Sequence, residues 1–333
     1  MAQQPVSDWK RSPAHLELLS KYIKPLSIYH IADSYRSSDW YEALKEHSLG
    51  AIQRFIEEGY LVRPDISTLM NYKLIIPELK KLCADRVLPV SGKKADLINR
   101  LITADEPGMR RELSELKVVM CSEKGKLLAQ AYLEMRKQER EEAERLGIDC
   151  LRKREFLQAG TSVAKYEANQ VFPRGLGIDW RKESLFPNPR DAYILKLTFE
   201  ETPTVAKGVN QQELEQFRLA AGSMHLWGSD AEAKQLLEGV ESISAKCDNL
   251  SFARMLWQSA VNKYDLKEYR DLARATGNKN YKIEILTCND EHVCDVCKRL
   301  AKKKYPLFGD IPELPSPDCS HNCRCSYSLD MGY

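Results

Sequence analysis

The stretch that decides the reading is IPELKKLCADRVLPVSGKKADLINRLI, residues 76–102. Pro77 suits the first turn of a helix, and Leu79, Leu82 and Cys83 then share one face at i, i+3 and i+4. Leu88 and Pro89 end that helix. Ser91 can cap the next one, and Gly92 gives the backbone freedom to turn into it. Leu97, Ile98, Leu101 and Ile102 supply its buried stripe. The spacing predicts two short helices at an angle, with Lys93 and Lys94 at the start of the second.

Cations at a helix N-terminus oppose the positive end of the helix dipole. Their placement makes sense where an anion such as a nucleic-acid phosphate occupies the site. From Lys73 to Arg100 there are seven Lys/Arg against three Asp/Glu, a local excess of four positive charges. The whole chain of 333 residues carries a net charge of only +2, so any nucleic-acid surface must be local. A second basic region runs from Lys279 to Lys304, with seven Lys/Arg against four Asp/Glu.

Residues 74–104 resemble the SAP domain, a small helix–extended–helix DNA-binding motif. Leu79, Leu82, Leu88, Pro89, Ser91, Gly92, Lys93, Lys94, Leu97, Ile98, Arg100 and Leu101 carry the likeness. The resemblance implies that Ser91, Gly92, Lys93, Lys94 and Arg100 face the backbone of duplex DNA, often at AT-rich sites. The segment Cys83–Val87 departs from the pattern, because the family usually has a glycine just before the apolar pair.

The other informative segment is ILTCNDEHVCDVCKRLAKKKYPLFGDIPELPSPDCSHNCRCSYSL, residues 285–329. Six of the chain's ten cysteines fall in its last 46 residues, whereas a disulfide framework would spread its bridges. Cys294 and Cys297 form a C-x2-C turn that lets two thiolates meet one metal ion. After a 21-residue gap come Cys319, His321, Cys323 and Cys325. This donor set predicts one structural zinc ion. Cys294, Cys297 and Cys323 are ligands, and the fourth comes from Cys319, Cys325 or His321. Cys288 reads as the end of a strand and His292 as a surface residue. Between Lys298 and Asp318 there are few large apolar residues beyond Leu300, Tyr305, Leu307 and Phe308, so metal is expected to organise this tail from about residue 286 onward.

The same region resembles the C-terminal part of the phage Mu F-like head-morphogenesis family. Thr287, Asp290, Val293, Cys294, Cys297, Leu300 and Cys323-Arg324-Cys325 match its pattern. His321-Asn322-Cys323 is one residue shorter than the family's ending, Cys319 is extra, and Ala301-Lys302-Lys303-Lys304 replaces its usual Gly-Lys. The resemblance implies a phage-related protein and, as possible partners, phage-like assembly proteins.

The rest reads as helix. HLELLSKY and SSDWYEALKEHSLGAIQRFIEEGYLVRP are helical, with Ser38 as a cap and Gly59 as a stop. A charged helix runs from about residue 122 to 146. QQELEQFRLAAGSMHLW and SFARMLWQSAVNKYDLKEYRDLARATG are helices, and FPRGLGIDWRKESLFPNPRDA is a loop. DAYILKLTFEE alternates Tyr193, Leu195, Leu197 and Phe199, which predicts a strand; YKIEIL is a second one. The expected fold is therefore mainly α, with a small α+β C-terminal part resembling a zinc knuckle. The expected divisions are a helical region (1–73), the SAP-like motif (74–104), a charged connector helix (105–149), a mixed α/β middle (150–276) and a cysteine-rich, zinc-binding end (277–333).

No P-loop, GxGxxG, G-x-S-x-G or HExxH is present. Glu200 and Glu201 read as surface charges, and His225, Trp180, Trp227 and Trp257 as packing residues. With no apolar run near the ~18 residues of a membrane span, a cytoplasmic protein without membrane contact is expected. Its expected role is non-enzymatic binding of duplex DNA. The alternatives are a phage-like head or assembly component that contacts DNA, and a nuclease whose site lies in the middle region.

Overall fold

The computed structural model describes residues 8–173, 189–241, 247–288, 290, 293–319 and 323–331. Trp180, His292, His321 and most of the 172–192 loop lie outside the described residues. The chain divides into two compact units, Met1–Gln138 and Glu139–Tyr333. Both are dominated by helix, and each carries one small three-stranded antiparallel sheet.

The first unit contains α1 (Pro13–Ser20), β1 (Leu26–Ser27), α2 (Ser37–Leu44), α3 (Ser48–Glu57), β2 (Leu61–Val62), α4 (Ile66–Lys73), α5 (Ile76–Asp85), α6 (Lys94–Glu112), β3 (Val118–Cys121) and the start of α7 (Glu123–Arg152). β3 lies between β1 and β2. Trp9 anchors the N-terminal core, its ring 4.4 Å from Phe55 and 5.0 Å from Tyr60. The run expected to be helical from Ser37 onward breaks in two, because Lys45 adopts a left-handed conformation and His47 caps α3. Ser38 lies inside α2 and does not cap it. Gly59, at φ +73°, follows the end of α3.

The α5–α6 pair does not stand alone. Leu79 and Cys83 of α5 and Leu97, Ile98 and Leu101 of α6 are buried against Ile66, Leu69 and Met70 of α4 and Val118 of β3. Leu82, Leu88 and Ile102 close the edges of this core. α6 kinks at Asp105, whose Oδ1 accepts from the Gly108 N–H at 2.9 Å and restarts the helix around Pro107. Residues 105–149 are thus not one connector helix: they hold the end of α6, β3 and most of α7.

The second unit contains the rest of α7, then α8 (Phe156–Ala168), α9 (Pro189–Glu200), α10 (Gln211–Trp227), α11 (Ala231–Leu236), α12 (Asn249–Thr276), β4 (Lys282–Leu286), α13 (Asp295–Leu300), β5 (Lys304–Pro306) and β6 (Ser326–Asp330). The strand expected at DAYILKLTFEE is helix α9. Its buried positions, Asp191, Ile194, Leu195, Thr198 and Phe199, follow the 3.6-residue period of a helix face. The described part of residues 150–276 is therefore helical, not mixed. β4 is the central strand of the C-terminal sheet, paired with β5 on one side and β6 on the other. Ile283 and Ile285 of β4 and Tyr327 of β6 turn inward, joining Phe217 and Met224 of α10 and Phe252 and Leu256 of α12 in one core.

Candidate nucleic-acid interface and candidate metal centre

The basic turn forms because α5 is stopped and α6 is started by local contacts. At the end of α5 the Val87 N–H bonds to the Ala84 carbonyl and the Leu88 N–H to the Cys83 carbonyl. This pair of bonds is the Schellman arrangement, and it places Val87 at φ +58°. Gly92, at φ +117°, redirects the chain into α6. Lys93, not Ser91, occupies the capping position, and its N–H bonds to Asp96 Oδ2 at 2.8 Å. The Asp96 carboxylate therefore already supplies the anion that the helix start favours. A phosphate here would find the Lys93 N–H already taken and would be met by the side-chain ammonium groups.

The five residues assigned to the DNA face play unequal parts. Ser91, Gly92 and Lys93 are exposed, and the Lys93 ammonium has no partner among the described residues. Lys94 is half-buried, and its Nζ donates to the Asn71 carbonyl near the end of α4 at 2.7 Å. Arg100 folds back on the link, donating through Nη1 to the carbonyls of Pro89 and Ser91. Arg100 thus braces the turn that presents Lys93. Lys73, Lys80 and Lys81 are also exposed on this unit.

The cysteines of the C-terminal segment converge. Cys294 sits at the N-cap of α13, where its Sγ accepts from the Cys297 N–H at 3.4 Å. Cys294 and Cys319 bring their sulfurs to 3.5 Å, and Cys297 and Cys323 to 3.7 Å. The sulfurs of Cys294, Cys297 and Cys319 lie within 4.8 Å of one another, as do those of Cys297, Cys323 and Cys325. A tetrahedral ion with bonds of ~2.3 Å to sulfur separates its ligands by about 3.8 Å. The two closest pairs therefore have nearly the spacing that such an ion needs, and the donor set could hold a metal. Cys297, common to both groups, is the centre of the cluster. Cys288 is exposed and lines the same small pocket, together with Val293 and Arg324. His321, the remaining candidate ligand, lies outside the described residues.

The thiols hold their protons unequally. Hydrogen bonds from Cys297, and then from Cys319 and Cys325, pull the Cys323 thiol far below its usual range, against the effect of burial. The Cys297 thiol is pushed up by its bonds to Cys319, Cys323 and Cys325. Cys325 is pushed up to about 12: its bond to Cys297 acts to lower it, but Cys323 and burial outweigh that bond. For Cys294, burial acts upward, yet the Cys297 N–H and the neighbouring thiols hold it below the usual value. One cluster thus combines thiols lowered and raised from the usual value, and a bound metal would displace the protons they hold.

Residues of α12, and one ion pair within the cysteine segment, support the cluster. Asn262 of α12 is fully buried, and its Nδ2 donates to the Cys325 carbonyl at 3.1 Å. The Tyr269 hydroxyl donates to the Tyr327 carbonyl at 3.3 Å. Arg324 makes a two-pronged contact with Asp290 at 2.6 and 2.8 Å. Asn262 could not be singled out beforehand, because a lone asparagine within a helix carries no pattern of its own.

His225 is a packing residue, as expected. It is buried, with Nε2 3.0 Å from Asp191 Oδ1 and Nδ1 accepting from Trp257 Nε1 at 3.1 Å. Trp227 is buried as well, with the Arg140 guanidinium over its ring at 4.0 Å.

Residues 73–106 match the SAP domain family. No curated protein and no solved structure matches the chain. No match supports the resemblance of the C-terminal segment to the phage Mu F-like family. Among the described residues no helix is long and apolar enough to cross a membrane.

Proposed function

We propose that this chain is a non-enzymatic nucleic-acid-binding protein that grips the backbone of duplex DNA through its SAP unit. The observation that carries the reading is the family match over residues 73–106, with Lys93 unpaired on a turn held by Gly92, Asp96 and Arg100. Lys93 makes the contact. Lys94 and Arg100 shape the turn and add positive potential, and Ser91 and Gly92 let the backbone approach. The cysteine cluster holds one structural zinc ion. Its donors are thiols at near-tetrahedral spacing, which suits zinc, and the described lining is thiol, Val293 and Arg324, without a carboxylate to act as base. Thiolate ligands also fit a reducing, cytoplasmic setting.

Titration of the full chain against labelled duplex DNA at several salt concentrations tests this. Lys93→Ala should weaken binding and lower the slope of log K against log salt by ~0.9, the share of one phosphate contact. Lys94→Ala is the less clean variant, since it also cuts the bond to Asn71. Failure of the wild-type chain to bind duplex DNA at low salt would overturn the proposal, as would an unchanged slope for Lys93→Ala.

A further inference from the structure

We infer that the turn between α13 and β5 is a second contact for the nucleic-acid backbone, built on the metal centre. The inference rests on the nucleic-acid reading above but concerns a different unit of the chain.

Three cations, Arg299, Lys302 and Lys303, fall within five residues, and all are exposed. None has an ion-pair or hydrogen-bond partner for its side chain among the described residues. Their neighbours differ. Lys298 lies 3.8 Å from Asp295, and Lys304 is held by Glu284 at 2.6 Å and Asp330 at 2.9 Å. The paired lysines are thus satisfied within the fold, and the three between them project unpaired charge.

The backbone that carries them is fixed at both ends. On one side the Ala301 N–H bonds to the carbonyl of Cys297, the central thiol of the cluster, at 2.9 Å. The Lys302 N–H then bonds to the Arg299 carbonyl and the Lys303 N–H to the Leu300 carbonyl, closing a tight turn. On the other side β5 pairs with β4, and the Tyr305 hydroxyl returns to the Leu300 carbonyl at 3.2 Å. A metal ion on Cys297 would therefore set the geometry of the turn before any ligand arrives, which lowers the ordering cost of binding. Closely spaced, unpaired cations on a fixed turn match a polymer with a regular run of negative charge. A short SAP motif offers few phosphate contacts, so a second basic surface on the same chain would add affinity and salt dependence.

The test is the triple variant Arg299→Ala/Lys302→Ala/Lys303→Ala in the full chain, with metal content measured to show that the cluster is intact. Three lost phosphate contacts should lower the slope of log K against log salt by ~2.7, and Lys93→Ala should lower it by a further ~0.9. Lys302→Arg/Lys303→Arg in place of the two alanines, with Arg299→Ala kept, should recover most of the loss. An unchanged slope in the triple variant, with Lys93→Ala still effective, would overturn this inference and leave the SAP reading standing. Absence of duplex-DNA binding by the wild-type chain would overturn both. Poly-glutamate competing as well as DNA at equal charge would assign the turn to an acidic protein partner and refute the nucleic-acid assignment.

Discussion

Replacing Val87 by glycine should stabilise the SAP unit. Val87 holds the left-handed position of the Schellman turn at φ +58°, where a glycine normally sits. For an L-residue this conformation costs roughly 1–2 kcal/mol, and a β-branched side chain is among the poorest fits. The valine gains little in return, since it is 93% exposed. Glycine removes the strain but adds about 0.4–1 kcal/mol of backbone freedom to the unfolded chain. The expected net gain is about 0.5–1 kcal/mol. Native-state amide exchange of α5 and α6 reads this locally, so the full chain can be used. Protection should rise about two- to five-fold, with little change in the second unit. Alanine keeps the Cβ and should give much less. A fall in protection for Val87→Gly would mean that the valine side chain, not the turn, supports α5, and the account of this helix end would be wrong.

Asp105 should give the SAP unit a measurable acid sensitivity. The Gly108 N–H, and then Arg86, hold its carboxyl below the usual value of 3.8, so its contribution is present above that pH and is lost as pH falls through the lower folded-state value. The stability difference between wild type and Asp105→Asn in thermal unfolding should therefore shrink below pH 3.8; a difference that persisted at lower pH would refute this. At the metal centre, Cys297→Ser should abolish metal retention measured by elemental analysis, whereas Cys288→Ser should keep it. Limited proteolysis of Cys297→Ser should then degrade α10 and α12 as well as the tail and spare a fragment containing α5 and α6, and survival of α10 and α12 would refute the shared core.

Two kinds of residue separate what could be read in the sequence from what could not. The SAP helices were legible because their apolar spacing and turn residues are local, and the family match falls on the same stretch. The cysteine convergence was legible for a similar reason: C-x2-C and the later cysteines announce themselves by type. The segment 191–201 was misread as a strand because Tyr193, Leu195, Leu197 and Phe199 do alternate. The helical alternative runs through Asp191 and Thr198, polar residues that a sequence reading assigns to solvent. Asp191 turns inward because His225, 34 positions later, bonds to it. The role of Arg100 was hidden in the same way. Only the folded link brings the carbonyls of Pro89 and Ser91 to its guanidinium, and only the capped helix shows Asp96 already acting as the local anion.

The C-terminal segment has few apolar residues of its own, from which the sequence reading made metal its main source of order. The fold alters that balance, because the segment shares a core with the helices. Val293, Cys297, Leu307, Leu314, Cys323, Cys325 and Tyr327 are buried in the same core as Phe217, Phe252 and Leu256. The cysteine-rich end is therefore one wall of the helical unit. Asn262 shows the coupling at one atom: its buried amide satisfies the Cys325 carbonyl, so moving Cys325 would leave polar groups on both elements unpaired, at about 1–3 kcal/mol for each buried group. The cluster would then stabilise α12 as much as the turn at Arg299–Lys303. Metal removal should for that reason loosen the basic turn and the helical core together, while the turn at Lys93, which has its own core on α4, stays formed.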